Sequence, residues 1–293
     1  MQKTNLKNYL QLHLIIFIWG FTAVLGALIS LDAIPLVWFR MLFAVGFLFV
    51  YFLYKKKSLR IGPKTMLKFM VGGLIISTHW VAFFMAIKVA NVSIALVAMS
   101  TGALFTSLIE PLFFKRRVIF SEFLMGLIVV GGLYIIFRGE GGEYLLGIIY
   151  ALIASFLSAL FSVINGLYVR KYEGSVISFY QLFFGVVCIT LYLLFTGGFS
   201  YEFFVLSTSD IMYLLILSSI CTAYAFVVSV NVMKYLSPYT VMLSINLEPV
   251  YGIILALFIF GEKEKMTPEF YIGAVVIICT VVVNGIIKSK KSS

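Results

Sequence analysis

The chain has 293 residues, of which 62% are hydrophobic and only 12% charged, with a formal net charge of +10 at pH 7. This composition, with a mean hydropathy of +1.09, excludes a soluble domain. The basic excess does not signal nucleic-acid binding, because Lys and Arg gather at the edges of apolar stretches, where anionic lipid favours them.

Ten apolar stretches of roughly twenty residues, each long enough to cross a hydrocarbon core of about 30 Å as a helix, follow one another along the chain. They are 10–31, 35–54, 69–87, 92–114, 118–137, 144–168, 175–195, 210–233, 238–260 and 269–287. Their length and their lack of strict alternation predict helices rather than barrel strands, so the expected fold is an all-α polytopic membrane protein. The first stretch follows Lys3 and Lys7, as a signal peptide would. It lacks a small-x-small exit site and leads into further spans, so it reads as the first span.

His13 sits at the inner edge of this span as an interfacial residue, and Trp19 lies deep within it. Arg40 stands about five residues inside the outer boundary of the second span. Its side chain either snorkels to that interface or binds a substrate carboxylate or gates the outer mouth. In the third span STHWVAFF places His79 near the middle with Trp80 beside it. An imidazole there serves either as a proton carrier, since its ordinary pKa is about 6.5, or as a packing residue.

The fourth span carries Ser100-Thr101-Gly102 at its centre and Glu110-Pro111 towards its cytoplasmic end, where Glu110 is expected to pair with Lys115. Ser155, Ser158 and Ser162 recur at helical spacing in the sixth, an arrangement that helix packing explains. Tyr224 and Tyr251 lie deep in the eighth and ninth spans. Like Trp19 and Trp80, they either pack or wall a cavity that accepts an apolar group or a cation. Cys188, Cys221 and Cys279 fall inside predicted helices as packing residues rather than a disulfide framework.

With the N-terminus inside, seventeen of the 22 basic residues fall on the cytoplasmic side. Lys88, Arg138, Lys263 and Lys265 remain outside and Arg40 lies in a span. An even number of spans with both termini cytoplasmic follows from the positive-inside rule. A shift of 146 brings Trp80 onto Phe226, Val81 onto Val227, Lys88 onto Lys234, Phe105 onto Tyr251 and Phe114 onto Phe260 without a gap. Arg40 meets Gln181 at a shift of 141. The chain therefore divides into two five-helix repeats, 1–143 and 144–293. Because five is odd, the second must enter the membrane upside down, which is the inverted-repeat plan of carriers.

The ninth span, INLEPVYGIILALFIFG, holds Glu248 near the expected midplane. An ionised acid there costs roughly 2.5–3.5 kcal/mol on insertion scales and belongs in the protein interior or in a wet cavity. Pro249 has no N–H and leaves the Ile245 carbonyl without its usual helical partner. A carboxylate and a free carbonyl at that depth suit a ligand ammonium group or a proton. The alternative is a paired Glu beside a simple kink. At the 146 shift, Asn246-Leu247-Glu248 corresponds to Ser100-Thr101-Gly102, small and polar residues that let helices approach.

These residues resemble the drug/metabolite transporter superfamily, in its ten-helix EamA-type exporter branch. The likeness rests on Trp19-Gly20 in the first span, Arg40 in WFRMLFA, NLEPVYGIILALFIFGEK in the ninth and Gly273 in the tenth. Arg116 of FFKRRVI stands where the family often has a glutamate opposite Glu262. The resemblance implies secondary transport of small metabolites, commonly amino acids, with a central cavity bounded by spans one, three, four, six, eight and nine.

The expected binding residues are Glu248, His79, Trp80, Ser100, Tyr224, Asn246, Tyr251, Trp19 and Arg40. The partners are a small metabolite, membrane lipid and a coupling proton, in a bacterial-style inner membrane. Metal-like Cys/His spacing and phosphate-binding glycine loops are missing from the sequence, so neither a cofactor nor a metal is expected. Uptake or exchange by the same fold is the main alternative. An intramembrane lipid-processing enzyme using Glu248 or His79 as acid and base is the rival from another class.

Overall fold

A computed structural model describes residues 2–115, 117, 119–139 and 142–292. Arg116, the family departure noted above, lies outside them. The described residues form an all-helical membrane protein. Eight helices are long and apolar enough to cross a membrane, and two shorter apolar segments, Phe123–Gly139 and Pro268–Thr280, belong to the remaining two spans. Spans one to three are the helices α1 (Gln2–Leu28), α2 (Ala33–Tyr54) and α3 (Pro63–Val89). The fourth span is two pieces, α4 (Val92–Met99) and α5 (Gly102–Phe114). Next come α6 (Phe120–Gly139), α7 (Leu145–Tyr168) and α8 (Gly174–Thr196). The eighth span is interrupted: α9 (Thr208–Ser218) runs through a π-helical segment, Ser219–Tyr224, into α10 (Ala225–Val232). The ninth is again in two pieces, α11 (Pro238–Ile245) and α12 (Glu248–Phe260), and α13 (Pro268–Ser292) is the tenth.

The 146-residue shift is built into the backbone. Adding 146 to the bounds of α4 and α5 gives the bounds of α11 and α12, so the fourth and ninth spans break at equivalent positions. In the ninth, Pro249 sits in the first turn of α12, where a missing N–H costs nothing, and the expected kink becomes a full break. The fourth span breaks without a proline. There the Ser155 hydroxyl, from α7, donates to the Met99 carbonyl at 3.0 Å, giving the end of α4 a partner from another helix. Ser155 thus does more than pack.

The helices approach closely where side chains vanish. A Cβ added to Gly20 of α1 would lie 2.8 Å from the Tyr251 Cβ and 3.3 Å from the Gly252 nitrogen of α12, so the Trp19-Gly20 pair marks a backbone crossing of the two repeats. The three cysteines are free thiols. Glu110 has a different partner from the one expected: its carboxylate accepts from the N–H of Tyr239 at 2.9 Å, at the start of α11.

Candidate functional site

A cavity of about 80 Å³ lies between the two repeats, room for several water molecules. Span one contributes Trp19 and Thr22, span three His79, Trp80 and Phe83, and span four Met99. Spans six, eight and nine add Ser158, Ser162, Phe226, Ser229, Ile245 and Glu248. The second span joins them through Arg40, which the sequence reading had not counted among the cavity helices.

Arg40 is 1% exposed, so of its two alternatives snorkelling to the interface fails. Its side chain turns inward because partners from two other spans receive it. The guanidinium carbon stacks 4.0 Å from the centre of the Trp80 ring, a cation–π contact that gains when water is excluded. Nε donates to the Thr222 hydroxyl at 2.7 Å. Nη1 makes no hydrogen bond within the protein. A buried guanidinium with an unspent donor is the group that recognises an anion.

The π-helical segment supplies this anchor. Thr222 Oγ1 in turn donates to the Leu217 carbonyl five residues back at 2.7 Å. The neighbouring Cys221 carbonyl accepts from Trp19 Nε1 at 3.1 Å. One irregular turn therefore orients both Arg40 and Trp19, a common use of π-bulges at functional sites. Nothing in the sequence around Thr222 singles it out.

His79 donates from Nδ1 to the Ala154 carbonyl at 2.7 Å, since a carbonyl can only accept. The neutral ring then keeps Nε2 as its acceptor. Glu248 opens α12 and is partly exposed, its side chain lining the cavity beside Ile245. A carboxylate in a helix's first turn is favoured by the aligned peptide dipoles. No ion pair within 4.0 Å joins Arg40 to Glu248. The two charges thus share one cavity without neutralising each other directly. Phe226 links the aromatic walls, 5.7 Å from Trp80 and 5.2 Å from Phe161 between ring centres.

Of the nine residues expected in the site, Trp19, Arg40, His79, Trp80 and Glu248 meet at this cavity. Four do not. Tyr224 is 48% exposed and points away from the interior. Tyr251 packs edge-on against Phe17 at 5.4 Å. Ser100 and Asn246 are buried at the two helix breaks, outside the cavity lining.

A ten-helix membrane protein whose inverted repeats enclose a polar-tipped cavity at broken helices has the architecture of a secondary transporter. The chain matches the EamA-like transporter family over residues 6–138 and again over 145–286, and it belongs to that family. It is similar to an uncharacterized transporter of Clostridium kluyveri, 27% identical over 206 residues, which cover 68% of this chain and 65% of the relative. This chain therefore spans just under two thirds of that relative's length. A second uncharacterized transporter, from Archaeoglobus fulgidus, is 25% identical over 291 residues, covering 94% and 96% of the two chains. A crystal structure 15% identical in sequence matches all of both chains with a TM-score of 0.70, a likeness of fold.

Proposed function

We propose that the protein is a secondary-active carrier of the inner, or plasma, membrane that exports small polar metabolites, amino acids or their relatives. It works by alternating access between the halves 1–143 and 144–293, with both termini cytoplasmic. One observation carries the reading: a guanidinium with a free donor and a separate carboxylate share a cavity walled by aromatic rings. Arg40 takes the ligand's carboxylate. Glu248 takes its ammonium group or a coupling proton, and His79 Nε2 is a second proton acceptor. Trp19, Trp80 and Phe226 cover the ligand's apolar part. Ser100 and Asn246 act at the helix breaks rather than on the ligand, and Tyr224 and Tyr251 support the helices.

Rocking halves do not set the direction of flux, which follows from the gradients. The test is counterflow in proteoliposomes preloaded with a mixed metabolite pool, read by mass spectrometry on both sides. Exchange of an unmodified zwitterion supports the reading. A chemically altered product, or no exchange of any pool member above empty vesicles, refutes it.

A further inference from the structure

The fourth and ninth spans share a feature that the cavity does not use. Each has a glutamate at one end whose carboxylate caps the start of the other span. Glu264, in the turn after α12, accepts from the N–H groups of Val92 at 2.9 Å and Ser93 at 3.0 Å, and from the Ser93 hydroxyl at 2.7 Å. Glu110, in α5, accepts from the Tyr239 N–H at the start of α11. Both glutamates are buried, 4% and 5% exposed. The capped donors correspond under the 146 shift, Val92 to Pro238 and Ser93 to Tyr239. The glutamates themselves are 154 apart, so sequence alignment of the repeats does not bring them together.

Each cap therefore ties one repeat to the other at one end of the cavity. Half-helix α4 packs on α12 at the Glu264 end, and α5 packs on α11 at the Glu110 end. Both spans break beside the cavity, where Met99, Ile245 and Glu248 line it. Alternating access as proposed would have one pair of half-helices swing about these breaks while the other pair stays closed. Splaying one pair must first release its cap, a charge-assisted set of bonds at a helix N-terminus.

We propose that Glu264 and Glu110 are the two latches of the transport cycle, each a positioning residue that holds one end of the cavity shut across the repeat interface. The proposal rests on the alternating-access reading above. The two ends are chemically unequal. Pro238 has no N–H to match that of Val92, and Tyr239 places a phenol ring where Ser93 has a short hydroxyl. The proposed orientation puts the Glu264 end outside and the Glu110 end inside.

A reporter cysteine at Ser229, in the cavity wall, tests this after Cys188, Cys221 and Cys279 are changed to alanine. A membrane-impermeant maleimide is applied to right-side-out and inside-out vesicles. Glu264→Gln should raise the outside-to-inside labelling ratio about tenfold, the shift expected on weakening one charge-assisted bond. Glu110→Gln should lower that ratio. Pro238→Ala, which supplies the missing donor, should reduce labelling from inside. If Glu264→Gln fails to insert, Ser93→Ala keeps the carboxylate and must move the ratio the same way by a smaller factor. An unchanged ratio, or equal movement in both glutamine variants, overturns the proposal and leaves the caps as structural contacts. A normal labelling shift in a protein that exchanges no metabolite would refute the substrate reading and leave the latches standing.

Discussion

Thr222→Val should loosen the grip on a ligand's carboxylate without touching the ligand. Valine keeps the shape of threonine but removes the hydroxyl that accepts from Arg40 Nε at 2.7 Å. A hydrogen bond from a charged donor contributes about 1.5–3 kcal/mol, and at 1% exposure water cannot easily replace it. The guanidinium will turn on the Trp80 face to recover a partner, and Nη1 will leave its present direction. If about half of that energy appears in binding, KM for the carboxylate-bearing substrate rises roughly three- to tenfold. The assay compares counterflow of the transported substrate with that of its decarboxylated amine. The amine does not engage Arg40, so its KM stays at the parental value. Losing the Thr222 bond to Leu217 also affects stability, but both ligands meet the same altered protein, so the ratio of the two KM values isolates the Arg40 effect. Equal movement of both values, or of neither, would refute the argument that Thr222 positions the guanidinium.

Glu248→Gln should insert normally, lower the transport rate at least about tenfold and flatten its pH profile; a parental rate across pH would remove Glu248 from the cycle. Gly20→Leu drives side-chain atoms into the α1–α12 crossing, an overpacking cost of about 1–3 kcal/mol that should lower the Tm in detergent by several degrees. Between α2 and α3, Lys57 bonds Glu173 at the start of α8, which holds the carboxyl below and the ammonium above their usual ranges. The carboxylate's stabilisation is present above the ordinary Glu pKa and is lost as pH falls through its lowered folded value. That of the ammonium is present below the ordinary Lys pKa and is lost as pH rises through its raised folded value. Solvent screens this exposed pair, so Glu173→Gln should cost no more than about 1 kcal/mol at neutral pH, and the cost should shrink in high salt. Thermal unfolding at low and high ionic strength checks it.

The spans were readable because the hydrocarbon core fixes a length, and any apolar run that meets it declares itself. The break in the ninth span was readable from Pro249. Its twin in the fourth, at Ser100-Thr101, carries neither proline nor charge and is visible only through the 146-residue repeat. The sequence left Arg40 open between snorkelling and binding for a physical reason: counting residues from an interface follows one helix, whereas Trp80 and Thr222 reach Arg40 from two others. Tyr224 is expected in the site from its depth in the span alone; depth does not set which face a residue takes, and Tyr224 ends the π segment, where the count of residues per turn slips. No residue type announces that turn, and for the same reason Thr222 gave no signal. The Glu264 cap was hidden because the chain pairs it with residues more than 170 positions away.

The backbone obeys the repeat, but the chemistry of the cavity does not. Glu248 corresponds to Gly102, and Arg40 corresponds to Gln181. The first half therefore supplies the guanidinium, on the unbroken α2, and the second half the carboxyl group, at the break between α11 and α12. A symmetric backbone lets the two access states have similar energies, which a cycle needs, since a ligand can shift an equilibrium only by its differential affinity. The asymmetric charges decide what closes it. In the proposed cycle, an empty cavity holds a buried guanidinium and a half-buried carboxyl group with no ion pair between them. The zwitterion of the proposed function would supply both counter-charges and bind the two halves together at once. Under the proposed function, closure around such a ligand is favourable for the same reason that closure without it is costly, so a loaded carrier should cross between states more readily than an empty one.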